Sequence, residues 1–131
     1  MIAVIGGSGL TQLANLEITR RQIVRTPYGE PSGPVTFGHM GASEVVFLAR
    51  HGYGHTLAPH EVNYRANLWA LQYLGVTRVI AVATVGGISP GLGAGSIALP
   101  LWIGGSSPGA IRRTASHVNT SLWNRWRPAL R

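Results

Sequence analysis

Apolar and polar positions alternate along this chain in short blocks divided by glycine and proline. Ile2 to Ile5 is an apolar run that stops at Gly6-Gly7-Ser8-Gly9, the pattern of a buried strand entering a tight turn. Residues 16–25 are mixed and fit a strand or a helix. Thr26 to Pro34 is dense in turn formers. Val35 to His39 alternates in part, and Met40-Gly41-Ala42 reads as a hairpin turn into Glu44–Ala49, a second buried strand. Arg50-His51-Gly52-Tyr53-Gly54-His55 is then a Gly-rich loop at that strand's end. Helical spacing is clearest from His60 to Leu74, with apolar side chains at Val62, Ala66, Trp69, Ala70 and Tyr73, Pro59 before it and Gly75 as its stop. Val76 to Thr84 predicts a third buried strand, running into Val85-Gly86-Gly87-Ile88. Ser89–Gly95 reads as loop, and a further apolar run starts at Ser96. Strand, turn, hairpin, strand, loop, helix, strand is an α/β order with a mixed β-sheet flanked by helices, and no internal repeat is visible.

Composition narrows the function classes. The 131 residues allow one domain, able to bury roughly two thirds of its unfolded surface. Apolar residues are 45% of the chain and charged residues 11%, against a usual share of about 25% charged. Without cysteine there is no disulfide scaffold, thiolate metal site or Cys nucleophile. No apolar window is long enough to span a membrane, and Met1–Gly7 lacks the basic start of a signal peptide; a soluble cytoplasmic protein is the expectation.

The formal net charge of +7 is unevenly placed. Every cation is Arg, and every acid is Glu, at positions 17, 30, 44 and 61. Residues 1–100 carry six Arg and four Glu, whereas 101–131 carry five Arg and no acid. That tail shows neither a period of two nor of 3.6. Its Trp123-Asn-Arg-Trp126-Arg127 run supports an alternative reading as a nucleic-acid-binding segment that stacks bases and contacts phosphates.

Three polar clusters sit just past the carboxyl ends of predicted strands: Ser8 in the Gly turn, Arg50-His51, and Thr84. Open α/β sheets bind ligands at that edge. If the strands are neighbours, two hydroxyls, a guanidinium fork, an imidazole and turn N–H groups converge without a carboxylate, a set suited to a small tetrahedral oxyanion. Other chemistries fit poorly. Gly7-Ser8-Gly9 lacks the third glycine of a dinucleotide fingerprint, where Gln12 stands, and there is no P-loop lysine. His51, His55 and His60 do not follow a metal-binding spacing, and Ser8 lacks the Gly-x-Ser-x-Gly setting of a nucleophile.

Five blocks carry a resemblance: Ile5-Gly-Gly-Ser-Gly-Leu10, Thr26-Pro-Tyr-Gly-Glu-Pro-Ser32, Leu48-Ala-Arg-His-Gly52 with His55, Pro59 with Val62-Asn-Tyr-Arg-Ala-Asn-Leu-Trp-Ala-Leu71, and Val79-Ile-Ala-Val82 with Val85-Gly-Gly-Ile88. In order and spacing they resemble the trimeric purine nucleoside phosphorylases, in particular the methylthioadenosine/methylthioinosine phosphorylase branch, over about residues 2–100. The resemblance implies phosphorolysis of a purine nucleoside to the free base and 5-methylthioribose 1-phosphate. It implies inorganic phosphate as co-substrate, no metal or organic cofactor, a homotrimer, and neither nucleic acid nor membrane as a partner. Carried over, Ser8 (usually Thr in the family) binds phosphate through its hydroxyl and turn N–H groups, Arg50 and His51 hold it, and Thr84 falls where the family contacts phosphate and ribose. The family subunit is longer, and its second half supplies the base-recognition and leaving-group residues. After Pro100 the family pattern gives way here to Leu-Trp-Ile-Gly-Gly. The expectation is therefore an N-terminal part of a phosphorylase domain over 1–100, an atypical basic tail over 101–131 translated out of frame, and impaired activity, with an inactive fragment as the alternative.

Overall fold

The computed structural model describes residues 1–100 and the short strand Ile111–Arg112. Eight elements follow in chain order: β1 (Ile2–Gly6), β2 (Glu17–Gln22), β3 (Val35–Met40), β4 (Ser43–Ala49), α1 (Tyr64–Tyr73), β5 (Arg78–Ala81), β6 (Leu99–Pro100) and β7 (Ile111–Arg112). The chain divides into two units after Thr84. The first holds a five-stranded mixed sheet in the order β2-β3-β4-β1-β5. In the second, the two-residue strands β6 and β7 pair antiparallel. The Trp123–Arg127 run and the rest of the basic tail, apart from Ile111–Arg112, lie outside the described residues. No helix among the described residues is long and apolar enough to cross a membrane.

The pairing follows from the sequence pattern. β4 is parallel to β1, and β1 is parallel to β5. Parallel strands in a sheet interior are covered on both faces and read as unbroken apolar runs. Val45 to Ala49 are all buried accordingly. β3 and β4 form a hairpin with Met40 opposite Ser43, and Gly41 takes the positive φ that a two-residue loop requires of its first central residue. Within the ambiguous 16–25 stretch, Glu17–Gln22 is a strand. It pairs antiparallel with β3 and lies at the sheet margin, where its Glu17, Arg20 and Arg21 stay exposed and discourage further strand addition.

The core joins Ala3 and Ile5 of β1, Val35 and Phe37 of β3, and Val46 and Leu48 of β4 to Ala70, Leu71 and Val76 from α1 and its exit. α1 begins at Tyr64, not at His60, because Asn63 is its cap: the Asn63 carbonyl oxygen Oδ1 accepts from the Ala66 N–H at 3.0 Å. The helix closes with a Schellman motif. Gly75 N–H bonds Gln72 O at 2.9 Å, Val76 N–H bonds Leu71 O at 3.0 Å, and the Val76 and Leu71 side chains meet in the core. Gly75 has φ +82, so Gly75→Ala is expected to cost about 1–2 kcal/mol, read as a lower urea midpoint at unchanged slope.

Two packing expectations need correction. Tyr73 stacks on Trp69 but is 67% exposed, because the buried stripe of α1 runs through Ala66, Asn67, Ala70 and Leu71. The third strand is only four residues long and mostly exposed, since among the described residues β5 has a neighbour on one side alone.

Candidate functional site

The strand order places β4, β1 and β5 side by side, all pointing the same way. Their registers match at the carboxyl ends, Gly6 opposite Ala49 and Ile5 opposite Ala81. The residues that follow therefore leave the sheet at one edge. Two main-chain bonds extend the pairing by a step: Arg50 N–H to Gly6 O, and Val82 N–H to Ile5 O, each 2.9 Å.

Arg50 reaches across this edge. Its Nη1 donates to the Val82 carbonyl at 3.3 Å, and its Nε points at His51 Nε2, 3.4 Å away. Between those points the guanidinium lies on Gly7. A Cβ at Gly7 would overlap Arg50 Nη2 and come within 2.8 Å of the Val82 oxygen. Gly7 is thus the one residue type that lets the fork span from the end of β4 past β1 to the end of β5. These partners are a carbonyl and an imidazole nitrogen, so neither neutralises the cation.

His51 is buried, at 7% exposure. Its Nδ1 lies 2.9 Å from the Leu57 carbonyl oxygen, and the Leu57 N–H bonds the His51 oxygen at 3.0 Å. A carbonyl only accepts, so Nδ1 carries the proton in the neutral ring and Nε2 faces the guanidinium with its lone pair. The His55 ring packs at 4.6 Å between centroids, and His55 itself adopts φ +58 in the Gly-rich loop.

After β1, the turn is closed by Leu10 N–H donating to Gly7 O at 3.0 Å, with Gly9 at φ +79. Among the described residues, the Ser8 and Gly9 N–H groups meet no protein acceptor. Ser8 is exposed, and its carbonyl accepts from the Thr84 hydroxyl at 2.8 Å. The fold thus brings Arg50 and His51 together, seats Arg50 on the residue before Ser8, and ties Thr84 to Ser8. Two partners escape a reading of side-chain types: the Val82 and Leu57 carbonyls, which are main-chain groups and leave no residue signature. Gly7 was legible as part of a turn but not as the seat of Arg50.

A guanidinium that no carboxylate neutralises among the described residues, N–H groups without a protein acceptor there and an exposed hydroxyl are chemistry suited to an anion. The phosphorylase superfamily matches residues 1–119. A protein of Pseudomonas syringae pv. tomato named as a probable S-methyl-5'-thioinosine phosphorylase is 52% identical over 98 residues, 75% of this chain and 40% of the relative. The S-methyl-5'-thioadenosine phosphorylase of Mycolicibacterium smegmatis is 53% identical over 100 residues, 76% of this chain and 38% of its own. The chain therefore spans about 40% of the length of these relatives. Among solved structures, a methylthioadenosine phosphorylase from Schistosoma mansoni in complex with adenine superposes with TM-score 0.58 at 44% identity, over 61% of this chain and 28% of that one. With a family match over most of its length and relatives about half identical over three quarters of it, this chain belongs to the phosphorylase superfamily.

Proposed function

We propose that this chain carries the phosphate grip of a purine nucleoside phosphorylase acting on S-methyl-5'-thioinosine or methylthioadenosine. The observation that supports it most is the Arg50 guanidinium lying across the ends of three adjacent parallel strands, beside His51 and over the turn that presents Ser8. Phosphate oxygens accept hydrogen bonds, and this edge offers donors: the Arg50 fork, the Ser8 hydroxyl, and the Ser8 and Gly9 N–H groups. His51 holds Arg50 from the side, through an imidazole fixed in one tautomer by Leu57.

The reaction follows from such a grip. An oxygen of hydrogen phosphate attacks the anomeric carbon of the sugar, the N-glycosidic bond breaks with its electron pair leaving on the purine, and the phosphate's proton ends on the base. The products are the free base and 5-methylthioribose 1-phosphate. Positive charge builds on the sugar as the bond breaks, so a phosphate fixed beneath the ring is both nucleophile and counter-charge. Catalysis is then positioning and electrostatic stabilisation, with no step that asks for a metal or an organic cofactor. A cytoplasmic homotrimer is part of the same reading.

Calorimetric titration with inorganic phosphate tests the grip on this chain. Saturable binding is expected, and Arg50→Ala should weaken it by about tenfold or more, since a charge-assisted fork is lost. Equal affinity in the variant would refute the assignment. Incubation with methylthioinosine and phosphate, followed by detection of the free base, reads the reaction itself; turnover by this span alone is expected to be far below an ordinary enzymatic rate.

A further inference from the structure

We propose that Thr84 is a positioning residue whose hydroxyl latches the end of β5 to the turn after β1 and is not itself a donor to the anion; this rests on the reading of the site given above. A threonine hydroxyl has one proton to donate. Here that proton goes to the Ser8 carbonyl at 2.8 Å. What the Thr84 oxygen retains is lone-pair capacity, which an anion repels. The same bond constrains the group that the site needs. Ser8 C=O and Gly9 N–H belong to one planar peptide unit, so fixing the carbonyl fixes the direction of the N–H.

The turn calls for such a tie. Gly6, Gly7 and Gly9 surround Ser8, and glycine has the most backbone freedom to lose. Within the turn, the Leu10 N–H to Gly7 O bond closes the loop without touching the Ser8–Gly9 peptide. Without Thr84 that peptide could turn its carbonyl toward the anion and its N–H away. The latch keeps a carbonyl dipole out of the site before any ligand arrives, and so lowers the ordering cost of binding.

The test compares the wild-type chain with Thr84→Val, which keeps the shape and removes the proton, and Thr84→Ser, which restores it. Amide hydrogen exchange of the turn is measured without phosphate, and phosphate affinity by titration. Thr84→Val is expected to accelerate exchange at Leu10, whose N–H closes the turn on Gly7 O, in the ligand-free protein and to weaken phosphate binding about three- to tenfold, the worth of one hydrogen bond. Thr84→Ser should restore both. Weaker phosphate binding with unchanged ligand-free exchange would make Thr84 a direct ligand and overturn the proposal, as would a Thr84→Val chain identical to wild type in both measurements. Absence of phosphate binding in the wild-type chain would instead bring down the reading of the site, a result distinct from a failed latch.

Discussion

Gly7→Ala should abolish measurable phosphate binding, a loss of about a hundredfold or more, while the five-stranded sheet still forms. The added methyl would overlap Arg50 Nη2 and sit 2.8 Å from the Val82 carbonyl oxygen. The two obstacles differ in kind. The guanidinium is the end of a flexible side chain and can swing away; the Val82 oxygen is main chain, held by the Val82 N–H to Ile5 O bond. The cheaper response is for Arg50 to leave its seat, which forfeits the bond to Val82 and carries the cation off the strand ends. Unlike Arg50→Ala, the displaced side chain also crowds the Ser8 turn, so two parts of the grip fail together. Gly9→Ala is the control. Gly9 has nothing within 4 Å of an added Cβ but sits at φ +79. Its substitution should cost about 1–2 kcal/mol of backbone strain and leave Arg50 in place. Titration with phosphate and thermal melting of both variants separate the effects. Phosphate affinity in Gly7→Ala within threefold of wild type would mean that the guanidinium seat is not part of the site.

The contrast shows which features of this edge a sequence carries. Strand ends were legible because the apolar runs Ile2–Ile5 and Val45–Ala49 end abruptly at small or polar residues, and burial on both faces leaves a parallel strand little choice of composition. The sequence puts Ser8, Arg50 and His51 at strand ends and leaves open whether those strands are neighbours, a condition the order β4-β1-β5 meets. The 16–25 segment was not legible as a strand, because its charged residues lie on a margin where neither face is covered and no period survives. Residue types alone predict a buried β5, yet burial depends on neighbours, and among the described residues β1 alone pairs with it. Contacts to the Val82 and Leu57 carbonyls were beyond reach for a different reason: any residue supplies a carbonyl. Thr84 shows the same limit from the other side. Its hydroxyl was visible in the sequence, but the direction of its one proton is set by a residue 76 positions away.

Asn67→Leu should lower the stability of the domain by about 3 kcal/mol, and it should do so through the loop that carries Ser32. Asn67 lies on the buried stripe of α1 and is 2% exposed. An amide in that position is costly unless satisfied. Its Oδ1 accepts from Ser32 N–H and its Nδ2 donates to Ser32 Oγ, each at 2.8 Å, so one side chain satisfies a main-chain and a side-chain group of the same residue. Leucine preserves the bulk and removes both partners. Ser32 is itself buried, so its N–H and hydroxyl would be left without acceptor and donor, at about 1–3 kcal/mol for each group. Four residues earlier, Asn63 holds the preceding turn through Nδ2 to Tyr28 O at 2.7 Å, so the two asparagines pin the 26–34 loop along one side of α1. The Ser32 carbonyl in turn lies against Gly52, the residue after His51, where an added Cβ would stand 3.2 Å away. Loosening Ser32 should therefore reach the Arg50-His51 loop, and phosphate affinity should fall a few-fold at temperatures where the variant is still folded. A cycle with Ser32→Ala separates the contact from general damage: Ser32→Ala should cost less in the Asn67→Leu background than in the wild type, by about 1 kcal/mol or more. Additive costs, or an Asn67→Leu urea midpoint indistinguishable from wild type, would show that the pair does not tie the helix to the loop.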